Sequence, residues 1–419
     1  MSVENFSGII QNIFYVLAAS WWIDLPLILL PVFLNSWLMS IRFKFIIKMK
    51  WKLLEIKIPK EILRSPKAME QVFSTMYNMY DKRNFVDTWW KGELQEWASF
   101  EMMSHDGRIH FYVRIIEKYR NMVESAIYAQ YPDVEIAEVD DYTSMVPSVL
   151  PNKTYNVWGA NFVLAKESGY PIRTYDYFEE LVKEKRLDPI AVLTEGLSKT
   201  KNDEIVWLQF LIRPVGDGWK KEAEKLVGKL IGRKEGKEKT LLEYLEEFFR
   251  NLVKAPFIHP VWSEDEGSEG SKGELGSLTP GERDVVKAIE TKIAKVGFET
   301  VIKFLYIDKR EGYNLQIIPT ILGGFRQFNS QNLNSFKIES KTVTKTKFPF
   351  KAQKLYTRQR RFFESCIFRM FPMMSKLPVL NTEELATIFH FPTTFVEAPT
   401  LHRIDSKRGE PPAELPIAE

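Results

Sequence analysis

The first hydrophobic pattern in the chain is a long apolar run near its N-terminus. Between residues 9 and 41 the only formally charged residue is Asp24, and residues 23–41 have about the length of a bilayer-spanning helix, roughly 20 residues. Only Glu4 precedes the run, and a basic stretch follows it: Arg42, Lys44, Lys48, Lys50 and Lys52. The positive-inside rule therefore predicts a single-pass protein of the cytoplasmic (inner) membrane, with its N-terminus outside and the bulk of the chain in the cytoplasm.

Residues 1–50 are thus interpreted as a membrane anchor, made of an interfacial helix and one transmembrane helix. The cations lie after the apolar run and no small-residue cleavage site follows, which disfavours a cleaved signal peptide. A buried core helix is the weaker alternative. Whether residues 9–22 span the membrane or lie on it stays open.

From residue 51 the pattern alternates between strand and helix periods. Residues 53–58 alternate like a strand, and Ser65-Pro66 is a helix start. Two further strands meet at Asp106-Gly107, a strong hairpin signal, and a helix and a last strand follow up to residue 139. This β-α-β-β-α-β order predicts a ferredoxin-like (split βαβ) unit over residues 51–150.

Residues 151–380 repeat this order more loosely. Strands are predicted at 155–165, 204–215 and 299–307, with helices between them. Residues 264–282 are acidic, rich in Gly and Ser and poor in apolar residues, which predicts a disordered loop inside a long helical insertion. The predicted fold class is α+β: an N-terminal transmembrane helix followed by two ferredoxin-like units, the second carrying this insertion.

Composition and motif spacing exclude or disfavour several classes of function. Of the 419 residues 45% are hydrophobic, and the net charge of +3 excludes a chain built throughout to bind polyanions. Cys366 is the single cysteine, so a disulfide framework and a Cys-rich metal site are excluded. The lysines and glycines of residues 232–239 do not have the spacing of a Walker A loop, which disfavours a nucleotide site there. His105 and His110 flank a turn, and such histidines are more often surface residues than metal ligands. The sequence therefore predicts no catalytic residue, no cofactor and no metal, with an enzyme of unrecognised type as the minor alternative.

One segment is strongly basic. From residue 337 to residue 361 a single acid, Glu339, stands against nine cations. Alternation over residues 337–348 predicts a strand with Lys341, Lys345 and Lys347 on one face. Such a segment suits the phosphates of DNA, anionic lipid headgroups, or a solvated edge strand protected by lysines, and the sequence leaves the three open. The nine cations are Lys337, Lys341, Lys345, Lys347, Lys351, Lys354, Arg358, Arg360 and Arg361.

The C-terminal segment, residues 381–419, is predicted to be a short helix followed by a Pro-rich extended tail. Asn381 and Glu384 have capping-box spacing, and the apolar period ends after His390. Deletion of residues 392–419 is expected to leave folding intact.

Several stretches together resemble a known family: LLEIKIPKEILRSPKAMEQVFSTMY, IHFYVRIIEKYRNMVESAIYAQYPDVEI, GGFRQFNSQNLNSF and NTEELATIFHFPTT with PPAELP. They are similar to the membrane-anchored N-terminal region found in, or encoded next to, type IV secretion and conjugation-type DNA-translocating ATPases of bacteria with reduced genomes. In fused members the tail leads into the ATPase, which this sequence does not contain.

The resemblance implies a non-catalytic accessory subunit, anchored at the inner membrane, that docks a separate P-loop ATPase. DNA and further copies of the chain are the other partners it suggests. A membrane-tethered nucleic-acid-binding protein, acting through residues 337–361, is the alternative. By the same resemblance, docking of the ATPase is expected at Glu384, His390, Pro392, Pro411 and Pro412.

Overall fold

The computed structural model describes residues 21–59, 62, 64–180, 188–201, 203–232, 278–346, 350–372, 376–393 and 403–404. These residues divide into two compact units. The first comprises the described residues up to Trp51 together with Asp81–Glu96, and the second comprises Lys52–Tyr80 and the described residues from Trp97 onward.

The first unit is built on one long apolar helix, α1 (Trp21–Lys48). Its segment Leu29–Lys48 is long and apolar enough to cross a membrane, and little of it is buried against the protein. This fits a single-pass membrane protein, as the sequence predicts. The unit also holds a short helix, α3, over Phe85–Trp89.

The second unit is a mixed α+β body around a large, mostly antiparallel sheet of ten described strands. The strands are β1 (Trp51–Pro59), β2 (Ala98–His105), β3 (Arg108–Ile116), β4 (Glu135–Val139), β5 (Tyr155–Leu164), β6 (Ile205–Val215), β7 (Gly297–Lys309), β8 (Phe336–Ile338), β9 (Val379–Asn381) and β10 (Arg403–Ile404).

Helices of the second unit connect these strands. They are α2 (Lys67–Met76), α4 (Arg120–Gln130), α5 (Tyr175–Glu180), α6 (Ala191–Ser198), α7 (Gly218–Leu230), α8 (Pro280–Ile293), α9 (Ile317–Arg326), α10 (Lys351–Ile367) and α11 (Thr382–Ile388).

The sheet runs in the order β10-β1-β3-β2-β6-β7-β5-β8, with β4 also paired to β1 and β9 to β7. Strand β2 pairs antiparallel with β6 over its whole length, from Ala98 opposite Ile212 to His105 opposite Ile205. The sheet is therefore continuous across the boundary near residue 150.

Strand alternation divides the core between the two faces of the sheet. On the first face, side chains such as Phe100 and Phe210 pack with helices α2, α4, α6, α9 and α11 in one large apolar cluster. On the second face, Trp207 and Leu305 pack with α10 in a smaller cluster. The second face is therefore where α10 is positioned.

Most predicted elements are confirmed, and the differences are local. The hairpin turn has Asp106 at φ 51° and Gly107 at φ 74°, as the Asp-Gly signal predicts. Helix α8, one of the helices expected between the predicted strands, begins with a complete capping box between Thr279 and Glu282. Of the predicted disordered loop, residues 264–277 lie outside the described residues, and Glu282 already belongs to α8.

Candidate anion-binding surface

Helix α10 carries most of the predicted basic segment, and its second half is fixed to the sheet. Gln359 donates from Nε2 to the Val157 carbonyl oxygen at 2.6 Å and to Asn156 Oδ1 at 3.1 Å. Phe362 lies so close over Gly159 that a Cβ at that glycine would be 2.2 Å from the ring. Strand β5 therefore needs glycine at this point for the helix to approach.

The C-terminal end of α10 is held by buried polar side chains from the sheet. Lys303 Nζ donates to the carbonyl oxygens of Ser365 at 2.6 Å and Met370 at 2.9 Å. Gln209 Nε2 donates to the Cys366 carbonyl oxygen at 3.2 Å. Ser365 and Cys366 lie in the last turn of α10, where carbonyl oxygens have no partner within the helix and a nearby cation is favourable. The helix is therefore anchored by its last turn.

Arg369 adds a buried ion pair just beyond the helix. Its Nε and Nη2 donate to the two carboxylate oxygens of Glu101 at 3.0 and 3.1 Å, and its Nη1 donates to Asp141 Oδ2 at 2.6 Å. Both Arg369 and Glu101 are fully buried. Burial alone would lower the pKa of Arg369, but the Glu101 carboxylate outweighs it and the pKa is raised. The pair is a fork-to-fork contact of the strong, bidentate kind.

Four polar side chains form a row across the second face of the sheet. Asn161 is the register partner of Lys303, Lys303 of Gln209, and Gln209 of Glu101. Burial lowers the pKa of Lys303 to about 8 and raises the pKa of the Cys366 thiol to about 12. A buried thiol of that pKa is a poor nucleophile. The row therefore binds the C-terminal end of α10 and the following Arg369, and its two charged side chains have partners within the protein.

The face of α10 that turns away from the sheet carries its cations in solvent. Lys351, Lys354 and Arg361 are exposed, and so is Arg358, which donates to the Lys345 carbonyl oxygen at 2.7 Å. Lys354, Arg358 and Arg361 follow i, i+4, i+7 spacing, so they share one stripe of the helix. Arg360 is paired with Glu364 at 2.9 Å, which leaves that cation less free for a ligand.

An open cavity of about 800 Å³ lies beside this helix. It brings together the exposed cations Lys153 and Arg310 and the half-exposed ring of Tyr356. Arg310 is oriented by a hydrogen bond from its Nε to the Asn152 carbonyl oxygen at 2.8 Å. Cations beside an aromatic ring in an open basin suit a phosphate next to a flat or apolar group. Its lining is Pro147, Ser148, Val149, Pro151, Asn152, Lys153, Arg310 and Tyr356.

The remaining predicted cations do not share a strand face. Lys337 lies on β8, which ends at Ile338, and Lys341 and Lys345 lie in the turns that follow. The predicted strand through Lys345 is wrong, because Glu339 accepts backbone bonds from Thr342 and Val343 and the chain turns there. Lys347 lies outside the described residues.

The residues predicted to dock an ATPase lie in a different environment. Every residue from Asn381 to Pro392 is buried. Glu384 completes the predicted capping box with Asn381 and pairs with Lys292 at 2.9 Å, both side chains fully buried. His390 Nε2 lies 3.0 Å from Asp188 Oδ1. Glu384, His390 and Pro392 are therefore interior residues rather than surface contacts, and Pro411 and Pro412 lie outside the described residues.

Sequence reasoning missed the polar row, although the sequence carries a signal for it. Glu101 stands in ASFEMM, Gln209 in VWLQFL and Lys303 in VIKFLY, each a polar residue inside an otherwise apolar strand. A lone polar residue at such a position needs a buried partner. The partners here are far along the chain, so strand patterns alone do not identify them. Arg369 lies 268 residues after Glu101, and Gln209 and Lys303 bond carbonyl groups 157 and 62 residues after them.

No group of three or more His, Cys, Asp or Glu side chains arranged to hold a metal occurs among the described residues. His110 lies on β3, where its Nδ1 is 2.7 Å from Glu55 Oε1, and His105 lies at the end of β2 beside Asp106.

Comparison with known proteins places the chain in a family. Residues 44–403 match the family described as "Domain of unknown function (DUF8128)". The match covers most of the chain, so the chain belongs to this family. A search of the curated proteins finds no match.

Proposed function

We propose that the chain is a membrane-anchored, non-catalytic accessory subunit that docks a separate P-loop ATPase of a type IV secretion or conjugation-like translocation system. The observation that carries the proposal is α1, a helix able to cross a membrane, which is separated from β1 by only two residues. A folded body on so short a connection stays near the membrane. The sequence resemblance supplies the partner, and the orientation with the body in the cytoplasm rests on the positive-inside rule.

We further propose that the sheet is assembled from two ferredoxin-like units. The strand orders β4-β1-β3-β2 and β8-β5-β7-β6 support this, since each is the order of a split βαβ sheet. The pairing of β2 with β6 would then join the two units edge to edge.

Co-purification tests the accessory role. The full chain, tagged and extracted from its native membranes in detergent, is expected to retain a P-loop ATPase identified by mass spectrometry. Because Glu384 and His390 are interior, the docking contact is assigned to the tail. A variant lacking residues 405–419 should lose the ATPase while unfolding at the same temperature as the parent chain. Purification of the intact chain without any ATPase would overturn the proposal.

A second function is favoured by the exposed cations of α10 and the adjoining basin. We propose, as the alternative, a membrane-tethered protein that binds nucleic-acid phosphates there, with Tyr356 available to stack on a base. Its support is two sets of exposed cations at α10. One is the stripe of Lys354, Arg358 and Arg361 along the helix, and the other is Lys153 and Arg310 in the basin that Tyr356 lines.

Oligonucleotide binding by the full chain in detergent tests the alternative. The triple variant K351E/K354E/R361E should weaken binding strongly and lower the slope of log K against log salt by about 2–3, since each lost phosphate contact removes roughly 0.7–0.9. The matched control K67E/K221E/K287E makes the same charge change on exposed positions of α2, α7 and α8 and should bind as the parent does. Equal losses in both triples would show that only net charge matters.

A further inference from the structure

The short helix α3 and the residue that follows it display four large apolar side chains to solvent. Phe85 is 69% exposed, Val86 50%, Trp89 41% and Trp90 68%. We call these four residues the aromatic edge. Neighbouring apolar side chains left this exposed mark a surface that meets another apolar phase.

Local bonds hold the aromatic edge in place. Asn84 Oδ1 accepts from the Asp87 N–H at 2.9 Å, and the Asp87 side chain accepts from the Asn84 N–H, so the helix begins with a complete capping box. Lys91 closes the segment with an ion pair to Asp87 at 2.8 Å. A five-residue helix is too short to be stable alone. These bonds therefore preserve an arrangement whose apolar side chains point away from the unit's own interior.

The segment that follows α3 contacts α1 where the apolar part of that helix ends. Gly92, at φ 68°, comes so close that an added Cβ would lie 2.8 Å from the Ile41 carbonyl carbon and 2.9 Å from the Arg42 nitrogen. Ile41 is the last residue of the apolar run, and Arg42 is the first of the cations that follow. This is the level at which a membrane-crossing helix passes from hydrocarbon to headgroups, where Trp residues are enriched.

We propose that the aromatic edge is a second membrane contact, inserted into the headgroup boundary of the same bilayer that α1 crosses. The proposal rests on α1 being the anchor of the proposed function, and it adds a contact that fixes the helix at one depth. Residues 81–96 hold three Lys or Arg and four Asp or Glu residues, so the contact is hydrophobic rather than electrostatic. It takes a lipid surface of any headgroup charge.

Site-directed fluorescence in vesicles tests the proposal. W90C and, as an independent second position, F85C are labelled with an environment-sensitive fluorophore in the full chain. The chain is then reconstituted into phosphatidylcholine vesicles that carry a spin-label quencher near the headgroups or deep in the acyl chains. Native Cys366 is fully buried and does not compete for the label. The references are L30C in α1 and V192C in α6, at positions with similar exposure, 52% and 49%.

The expected result is that labels at positions 85 and 90 lose most of their emission with the shallow quencher and little with the deep one. The label at position 30 should be quenched by the deep probe and the label at position 192 by neither. Anionic lipid should leave the pattern unchanged.

Two results overturn the inference and are distinguishable from each other. Quenching at position 30 without quenching at 85 and 90 leaves the anchor standing and shows that the aromatic edge does not contact lipid. An unquenched label at position 30 removes the anchor, and with it both the proposed function and this contact.

Discussion

Helices α10 and α11 are both predicted from sequence to meet partners, yet they lie in opposite surroundings. The first two turns of α10 are mostly exposed, whereas every residue of α11 is buried. The difference follows from counter-charges. Glu384 and Glu383 of α11 pair with Lys292 and Lys295, at 2.9 and 2.7 Å, while the five cations of α10 share one acid within the helix. Charge in a sequence marks a surface only where the rest of the chain supplies no partner for it.

Removing Arg369 should have the largest effect on the free energy of unfolding. The variant tests the buried contacts that hold α10 independently of the exposed cations of the same helix. R369A leaves the Glu101 carboxylate buried and unpaired, which is expected to lower the free energy of unfolding by about 3–5 kcal/mol. Urea unfolding of the full chain in detergent, followed by near-UV circular dichroism, measures this.

The matched control is R361A on the exposed part of the same helix. Its effect should stay within about 0.5 kcal/mol, as for surface substitutions in general. Similar losses for the two arginines would mean that α10 is not anchored at its C-terminal end.

The equivalent change in α11 tests whether this helix belongs to the core. E384Q keeps a capping side chain but leaves Lys292 buried without its carboxylate, and should cost about 3 kcal/mol. The double variant K292M/E384Q should recover most of that loss, because no buried charge remains. If E384Q unfolds like the parent chain, the docking role predicted for Glu384 regains support.

The described elements show which parts of the fold the sequence could predict. The hairpin at Asp106-Gly107 and the caps at Thr279 and Asn381 were all predictable, since each is set by a few neighbouring residues. The burial of α11 was not. It depends on Lys292 and on a cluster of rings in which Phe389 meets Phe100 and Phe210 at 5.3 and 5.6 Å, and these residues are far apart in the chain.

The basic surface was predicted in part, for the same reason. The cations of α10 follow from composition alone, but Lys153 and Arg310 join them only through the fold. The tail was predicted to lie outside the fold, but part of it belongs to the body. Thr393 donates from its backbone N–H to Asp188 Oδ2 at 2.8 Å, and β10 pairs with β1 up to Ile404. A deletion intended to spare the fold should therefore begin after Ile404 rather than at Pro392.

A methyl group at Gly159 should loosen α10 without touching α11. G159A places a Cβ 2.2 Å from Phe362, and overpacking of this kind costs about 1–3 kcal/mol. The contrasting variant is G323A in α9, where no atom lies within 4 Å of the added Cβ, and higher helix propensity should stabilise the chain by about 0.5–1 kcal/mol. Thermal unfolding in detergent should give a lower unfolding temperature for G159A and a higher one for G323A. Stabilisation of both variants would contradict the close packing of Phe362 against Gly159.

The smallest expected effect on stability comes from the titration of Lys303, the residue that links β7 to the end of α10. Its pKa falls from the ordinary value of 10.5 to about 8 on folding. Between these two values the unfolded chain holds this proton more often than the folded chain does, so stability should rise with pH, by at most about 1.4 kcal/mol per pH unit. Below pH 8 both states are protonated and the contribution is flat.

The comparison of C366A with C366A/K303M isolates this effect. Cys366 must be removed from both chains because its raised pKa works in the opposite direction, favouring unfolding as the pH rises above its ordinary value of 9. Urea unfolding at intervals from pH 7 to 10.5 should give a rising difference in favour of the chain that retains Lys303. A constant difference across this range would mean that Lys303 keeps its proton while it binds the carbonyl oxygens of Ser365 and Met370. In that case the C-terminal end of α10 is held by a Lys303 charge that persists up to pH 10.5. The start of α11 is likewise held by charge, in the ion pair between Lys292 and Glu384.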